Sequence, residues 1–279
     1  MKDILVAVDL GSSTPFIIKQ AIELSAGNDV TIHLLHVYEQ RDIMDSVGYA
    51  ENVNDDDPGR AATIKKLKEW KTCLQETVPG AKVKGYFLNG SVDQCILDVA
   101  ENIKPQLIIV GKPRKTGYFS FYRPLNANRL SRLSKCPVLT VMNYDNHNKM
   151  KTIILPVRDF IPVRKMELLA VFAKVYRARI HVVALQSKVF EHQKEWDVLL
   201  ETYRVLRNGL NNKIDYLLLK GNNFPRAVAD HAAEVGADML IVNPKKETRV
   251  SGIFRTDIND LLPKNSGLKV LSVVPYHDL

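Results

Sequence analysis

Short apolar runs recur along the chain, each bounded by turn residues or by stretches with helical spacing. The first lies within residues 3–9, where Ile4-Leu5-Val6-Ala7-Val8 precedes Asp9. Others fall at 30–37, 83–88, 107–111 and 137–142. A continuous run of this length predicts a strand covered on both faces, as in a parallel sheet. Between the first two, Gly11-Ser12-Ser13-Thr14-Pro15 predicts a turn and a helix start, with Thr14 as N-cap and Pro15 at the first helical position. Ile17, Ile18, Ala21, Ile22 and Leu24 then share one helical face, and Gly27-Asn28-Asp29 stops the helix. Residues 61–78 predict a second helix ended by Pro79-Gly80. Gly90-Ser91 opens a third, with Val92, Cys95, Ile96, Val99 and Ala100 on its apolar face, and 126–134 is a short fourth. Five strands alternating with four helices predict a doubly wound α/β domain with right-handed parallel crossovers. Residues 39–60 break the alternation and read as a mobile loop. Their acidic triplet, Asp55 to Asp57, lacks the alternating oxygen-ligand spacing of a Ca²⁺ loop, so no structural metal is expected.

The same order then begins again. Ile153-Ile154-Leu155-Pro156-Val157-Arg158 matches Ile4 to Asp9 at an offset of 149. Met239 to Asn243 matches Leu107 to Gly111, and Val270 to Val273 matches Val138 to Val141, both at an offset of 132. Most of the difference is the loop at 39–60, which the second copy replaces by a quick passage from His181-Val182-Val183-Ala184 to a helix near 190–208. A period this long indicates duplicated domains, at 1–145 and 149–279, joined by the polar stretch 143–149.

Composition adds limits. A chain of 279 residues with 46% hydrophobic and 25% charged positions can bury two ordinary cores. No apolar run approaches the roughly 20 residues of a membrane helix, and Met1-Lys2-Asp3 leads straight into a strand without a signal segment. Three scattered cysteines, Cys73, Cys95 and Cys136, form no Cys-x-x-Cys pair, which fits a reducing cytoplasm. The excess of 39 Lys and Arg over 31 Asp and Glu gives +8, without a basic run or an aromatic RNA motif, so nucleic acid has no support as a partner.

In open α/β sheets the ligand crevice lies beyond the carboxyl ends of the strands, which points to Asp9, Val37 and Gly111. The loop after Gly111 is no P-loop, since Gly111 to Gly117 has one residue too many and Tyr118 follows. Neither Gly-x-Gly-x-x-Gly nor Gly-x-Ser-x-Gly occurs, and none of the seven histidines pair at zinc-binding helical spacing. His36 reads as a core-edge histidine, His231 and His277 as structural or exposed, and Cys136 as a small buried residue. The aromatic run Tyr118-Phe119-Ser120-Phe121-Tyr122 stands where a loop would cover a ligand, or would dock a protein partner.

Ile4 to Asp9, Leu34-Leu35-His36-Val37, the Gly90 turn, Leu107 to Gly111 and Cys136-Pro137-Val138 together resemble the universal stress protein family in its tandem form. The resemblance implies two five-stranded parallel sheets of order 3-2-1-4-5 flanked by helices, an adenine nucleotide alpha hydrolase-like fold. It further implies pairing of the domains through their last strands as an internal pseudo-dimer, and leaves a homodimer open. Nucleotide-binding members carry Gly, two residues, Gly, nine residues, then Gly-Ser or Gly-Thr, because backbone N–H groups must approach phosphates closely. Here the three glycine positions hold Gly111, Arg114 and Pro124, with Leu125 after the last. In the second copy they hold Asn243, Lys246 and Thr256, and Arg158 stands in place of Asp9.

ATP or another adenine nucleotide is therefore expected only in the first domain. The residues implied are Asp9 and Val37 at the adenosine, Gly111 at the phosphates, and Lys112, Arg114 and Lys115 offsetting lost backbone contacts by charge; Asn126, at the head of the fourth helix, completes the set. The resemblance implies a non-catalytic stress-response or regulatory binding module. The rivals are a slow ATP hydrolase or phosphotransfer enzyme, for which only Asp9 offers a general base, and a ligand-free interaction scaffold acting through 118–122.

Overall fold

The computed structural model describes residues 1–27, 29–38, 58–111, 125–141, 150–186, 193–244, 247 and 267–278. Loop residues 39–57, the segment 112–124 with its cations and aromatic run, and the linker lie outside the described residues. By compactness the chain divides into two units, Met1–Leu125 and Asn126–Leu279.

The first unit holds β1 (Asp3–Ala7), α1 (Thr14–Ser25), β2 (Thr31–Tyr38), α2 (Pro58–Thr77), β3 (Lys82–Asn89), α3 (Val92–Ile103) and β4 (Leu107–Gly111). Its strands lie in the order β3-β2-β1-β4, and every pairing is parallel. The apolar runs are the reason: Ile4, Leu5, Val6, Ile32, Leu34, Leu35 and Leu107 to Ile109 have no measurable exposure, so both faces of the central strands are covered. α1 lies against β1 and β4, α2 against β2 and β3, and α3 against β1 and β2.

The second unit opens with α4 (Ala127–Ser134) and β5 (Val138–Val141). It continues with β6 (Thr152–Pro156), α5 (Val163–Tyr176), β7 (Arg179–Leu185), α6 (Gln193–Gly209), β8 (Ile214–Leu219), α7 (Phe224–Glu234), β9 (Met239–Val242) and β10 (Lys269–Ser272). Its strand order is β5-β10-β9-β6-β7-β8. All pairings are parallel except β5 with β10, which run antiparallel with Leu139 opposite Leu271. The last strand of the first sequence repeat is thus paired with the last strand of the second. α4 fastens the pair from above: Ser131 Oγ donates to Ser272 O at 3.0 Å, and Ser272 Oγ donates to Asn128 Oδ1 at 2.7 Å, all buried. With the β5–β10 pairing, these bonds tie α4 and β5 to the second unit.

The helix start at α1 differs from the sequence expectation by one residue. Ser13 is the N-cap and Thr14 the first helical residue; the Ser13 side chain makes no cap bond, and the Thr14 hydroxyl donates to Asp9 Oδ1. Pro15 does sit in the first turn. No described helix is long and apolar enough to cross a membrane.

Candidate functional site

β1 ends at Ala7, and the two residues after it set the geometry of the crevice in the first unit. Val8 N–H donates to Leu35 O at 2.9 Å, and the buried His36 donates from Nδ1 to Val8 O at 2.8 Å. His36 is therefore a structural tie between β2 and the chain leaving β1. Asp9 then turns its carboxylate back on the chain: Oδ1 accepts from Gly11 N–H at 2.8 Å and from Thr14 Oγ1 at 3.0 Å. No described residue donates to Oδ2. Between the two anchored residues, Leu10 is forced to φ +55° although its side chain is buried. Left-handed backbone is unusual for a bulky residue and marks a conformation that its surroundings impose. The other non-glycine residues with positive φ, Lys104, Lys135 and Arg177, are all helix C-caps, where that conformation is ordinary.

Gly111 ends β4 against the same helix start. A Cβ built there would stand 2.8 Å from Ile17 Cδ1 and 3.1 Å from Ser13 Oγ. Close packing on α1 therefore favours glycine here, since a methyl would have to displace the Ile17 terminal methyl and crowd Ser13. The first turn of α1 offers an anion little: Pro15 has no N–H, Thr14 N–H is bonded to Gly11 O, and those of Phe16 and Ile17 to Ser13 O. Val37 lies half-buried near the end of β2, opposite Leu88. Asp9, Val37 and Gly111 are thus all at the carboxyl ends of their strands. Lys112, Arg114 and Lys115 fall outside the described residues. Asn126 belongs to the second unit, where its side chain caps α4 by accepting from Arg129 N–H at 2.9 Å.

At the matching place in the second unit, polarity is reversed. Arg158 follows β6, with its guanidinium 5.5 Å from the ring centroid of Phe224 at the head of α7. Beyond it, Lys165 in the first turn of α5 is 1% exposed, Glu247 is 2% exposed and Asn243 is 1% exposed. Lys165 Nζ donates to both Glu247 oxygens, at 2.9 and 2.8 Å, and to Pro156 O at the end of β6. Asn243, just past β9, donates its N–H to Glu247 Oε2 at 2.7 Å and its side-chain amide to Oε1 at 3.2 Å. Burial pushes the Lys165 ammonium down and the Glu247 carboxyl up, while each charge and the Asn243 N–H oppose this. Donors converge on both carboxyl oxygens, which favours the carboxylate against the effect of burial.

Sequence reasoning missed Lys165 and Glu247. The signal for Lys165 is its place on the buried face of α5, in line with Leu169 and Ala173. A lysine on such a face needs a partner. Glu247 carries no local signal, being 82 residues away.

Among the described residues no group of three or more His, Cys, Asp or Glu is arranged to hold a metal. Parallel strands with helices packed on the sheet make this a doubly wound α/β protein. The family model for the universal stress protein family matches residues 1–142, and the chain belongs to that family. Universal stress protein A homolog 1 of Coxiella burnetii is 28% identical over 142 residues, which is 50% of this chain and 95% of that protein. Among solved structures, a universal stress protein from Archaeoglobus fulgidus is 16% identical with a TM-score of 0.68, covering 99% of this chain and 97% of its own. A putative universal stress protein from Pseudomonas aeruginosa is 15% identical with a TM-score of 0.64, covering 100% of this chain and 95% of its own. The cytoplasmic domain of a prokaryotic cation chloride cotransporter is 11% identical with a TM-score of 0.58, covering 98% and 95%. At these identities the shared property is the fold.

Proposed function

We propose that the protein is a non-catalytic cytoplasmic stress-response module that binds one adenine nucleotide per chain, in the first repeat. The observation that carries this is the Asp9-Leu10-Gly11 turn. It holds a strained residue and leaves Asp9 Oδ2 without a donor among the described residues, at a strand end where α/β sheets take ligands. A carboxylate oxygen there suits a ribose hydroxyl. The first turn of α1 has no spare backbone donor, so phosphate contacts would fall to Lys112, Arg114 and Lys115, with their charge replacing the missing glycine amides. In the second repeat Arg158 replaces Asp9, and Glu247 already occupies the strand ends.

Titration calorimetry of ATP and ADP into the full chain tests this beside an Asp9→Arg variant. One site per chain is expected, abolished by the substitution. Binding that ignores the substitution, or two equal sites, would overturn the assignment. Metal-dependent phosphate release that vanishes in Asp9→Arg would replace a binding module by a hydrolase.

A further inference from the structure

The buried Lys165–Glu247 pair of the second repeat is built like a ligand site. Its cation, Lys165, is positioned by Pro156 O at the end of β6, and its backbone donor, the Asn243 N–H, by the end of β9. A strand-end N–H, an amide and an ammonium converging on two oxygens are the donors expected for a bound oxyanion. They lie at carboxyl strand ends, where external ligands sit in sheets of this kind. Asn243 also takes the place that Gly111 holds in the first repeat. As a stability device the pair has little to recommend it, because desolvating two charges costs about as much as their attraction returns.

We propose that the second repeat contains a site for a small carboxylate or phosphate oxyanion, formed by Lys165 Nζ and Asn243, and that the chain fills it permanently with its own Glu247 carboxylate. The repeat is thereby held as if liganded, whatever the first repeat binds. This stands on the second unit alone, so a failure of nucleotide binding in the first leaves it untouched.

Truncation of the plug tests it. In Glu247→Ala the vacated space leaves Lys165 without its counter-charge. Thermal unfolding of this variant is expected to shift upward, and to saturate, with formate or inorganic phosphate but not with chloride at equal ionic strength. Wild type should not respond. Glu247→Gln fills the space without charge and should not respond either, nor should Glu247→Ala combined with Lys165→Met. Equal melting of Glu247→Ala in formate and chloride would overturn the proposal, as would an equal formate response in the Gln variant. Where Glu247→Ala is too unstable to melt cooperatively, refolding yield from urea gives the same reading: formate dependence supports the site and equal yields in both salts remove it.

Discussion

The carboxyl end of β1 and the carboxyl end of β6 hold matching places in the two units and differ in where the negative charge comes from. After β1 the chain supplies Asp9, exposed, with one oxygen fixing its own turn and the other taking no bond from the described residues. After β6 it supplies Arg158, and the carboxylate arrives from beyond β9 as Glu247, buried and fully engaged. A second contrast lies deeper in the sheets. His33, opposite Leu5, meets Asp3 Oδ1 at 3.1 Å and Tyr86 Oη at 2.9 Å. His181, opposite Ile154 in the same register, meets another imidazole, His231, at 3.2 Å, and its Nε2 has no partner. Identical strand positions have thus been given opposite electrostatic partners. One repeat keeps an accessible polar end, and the other is closed by internal charge.

The largest effect should come from opening the closed end. Lys165→Met leaves Glu247 buried and unpaired and should cost about 3–5 kcal/mol by urea denaturation, whereas Lys165→Met with Glu247→Leu should lie near wild type. If the single variant costs less than about 1 kcal/mol, the second crevice is wet and the contrast between the repeats weakens.

A smaller loss is expected at the open end. Gly111→Ala pushes a methyl onto Ile17 and Ser13 and should cost about 1–3 kcal/mol. Combining it with Ile17→Val should recover part of this. An unchanged stability would mean that the glycine serves a ligand alone.

The pH dependence is the subtlest test. Desolvation first, then His231 and Arg179, hold the His181 imidazole below its ordinary value, against Asp215. Desolvation does the same to His231, against Glu234. The unfolded chain therefore takes up protons that the folded chain refuses, and stability should fall as pH drops below about 6.5, by up to about two protons' worth of slope. His231→Gln should flatten that slope between about pH 7 and 5; an equal slope would show that the pair is not its source.

Much of this was legible in the sequence because parallel strands buried on both faces leave short apolar runs bounded by turn residues. The ends of β1, β4, β6 and β9 are visible as Asp9, Gly111, Arg158 and Asn243. What pairs across space was not. Lys246 stands at the eroded glycine position, yet it is its neighbour Glu247 that reaches the core, and only the fold brings Lys165 to it. The helix cap falls at Ser13 and not at Thr14, whose hydroxyl donates to Asp9 five residues earlier. The strain at Leu10 likewise has no sequence mark.

The antiparallel join of β5 to β10, clasped by Ser131, Ser272 and Asn128, has a consequence for dissection of the chain. A fragment beginning at residue 149 would keep every strand of its own copy yet leave one side of β10 bare, a template for any passing strand. Covalent fusion supplies that neighbour at one-to-one stoichiometry from the moment of synthesis, so the duplicated halves are no longer separable parts.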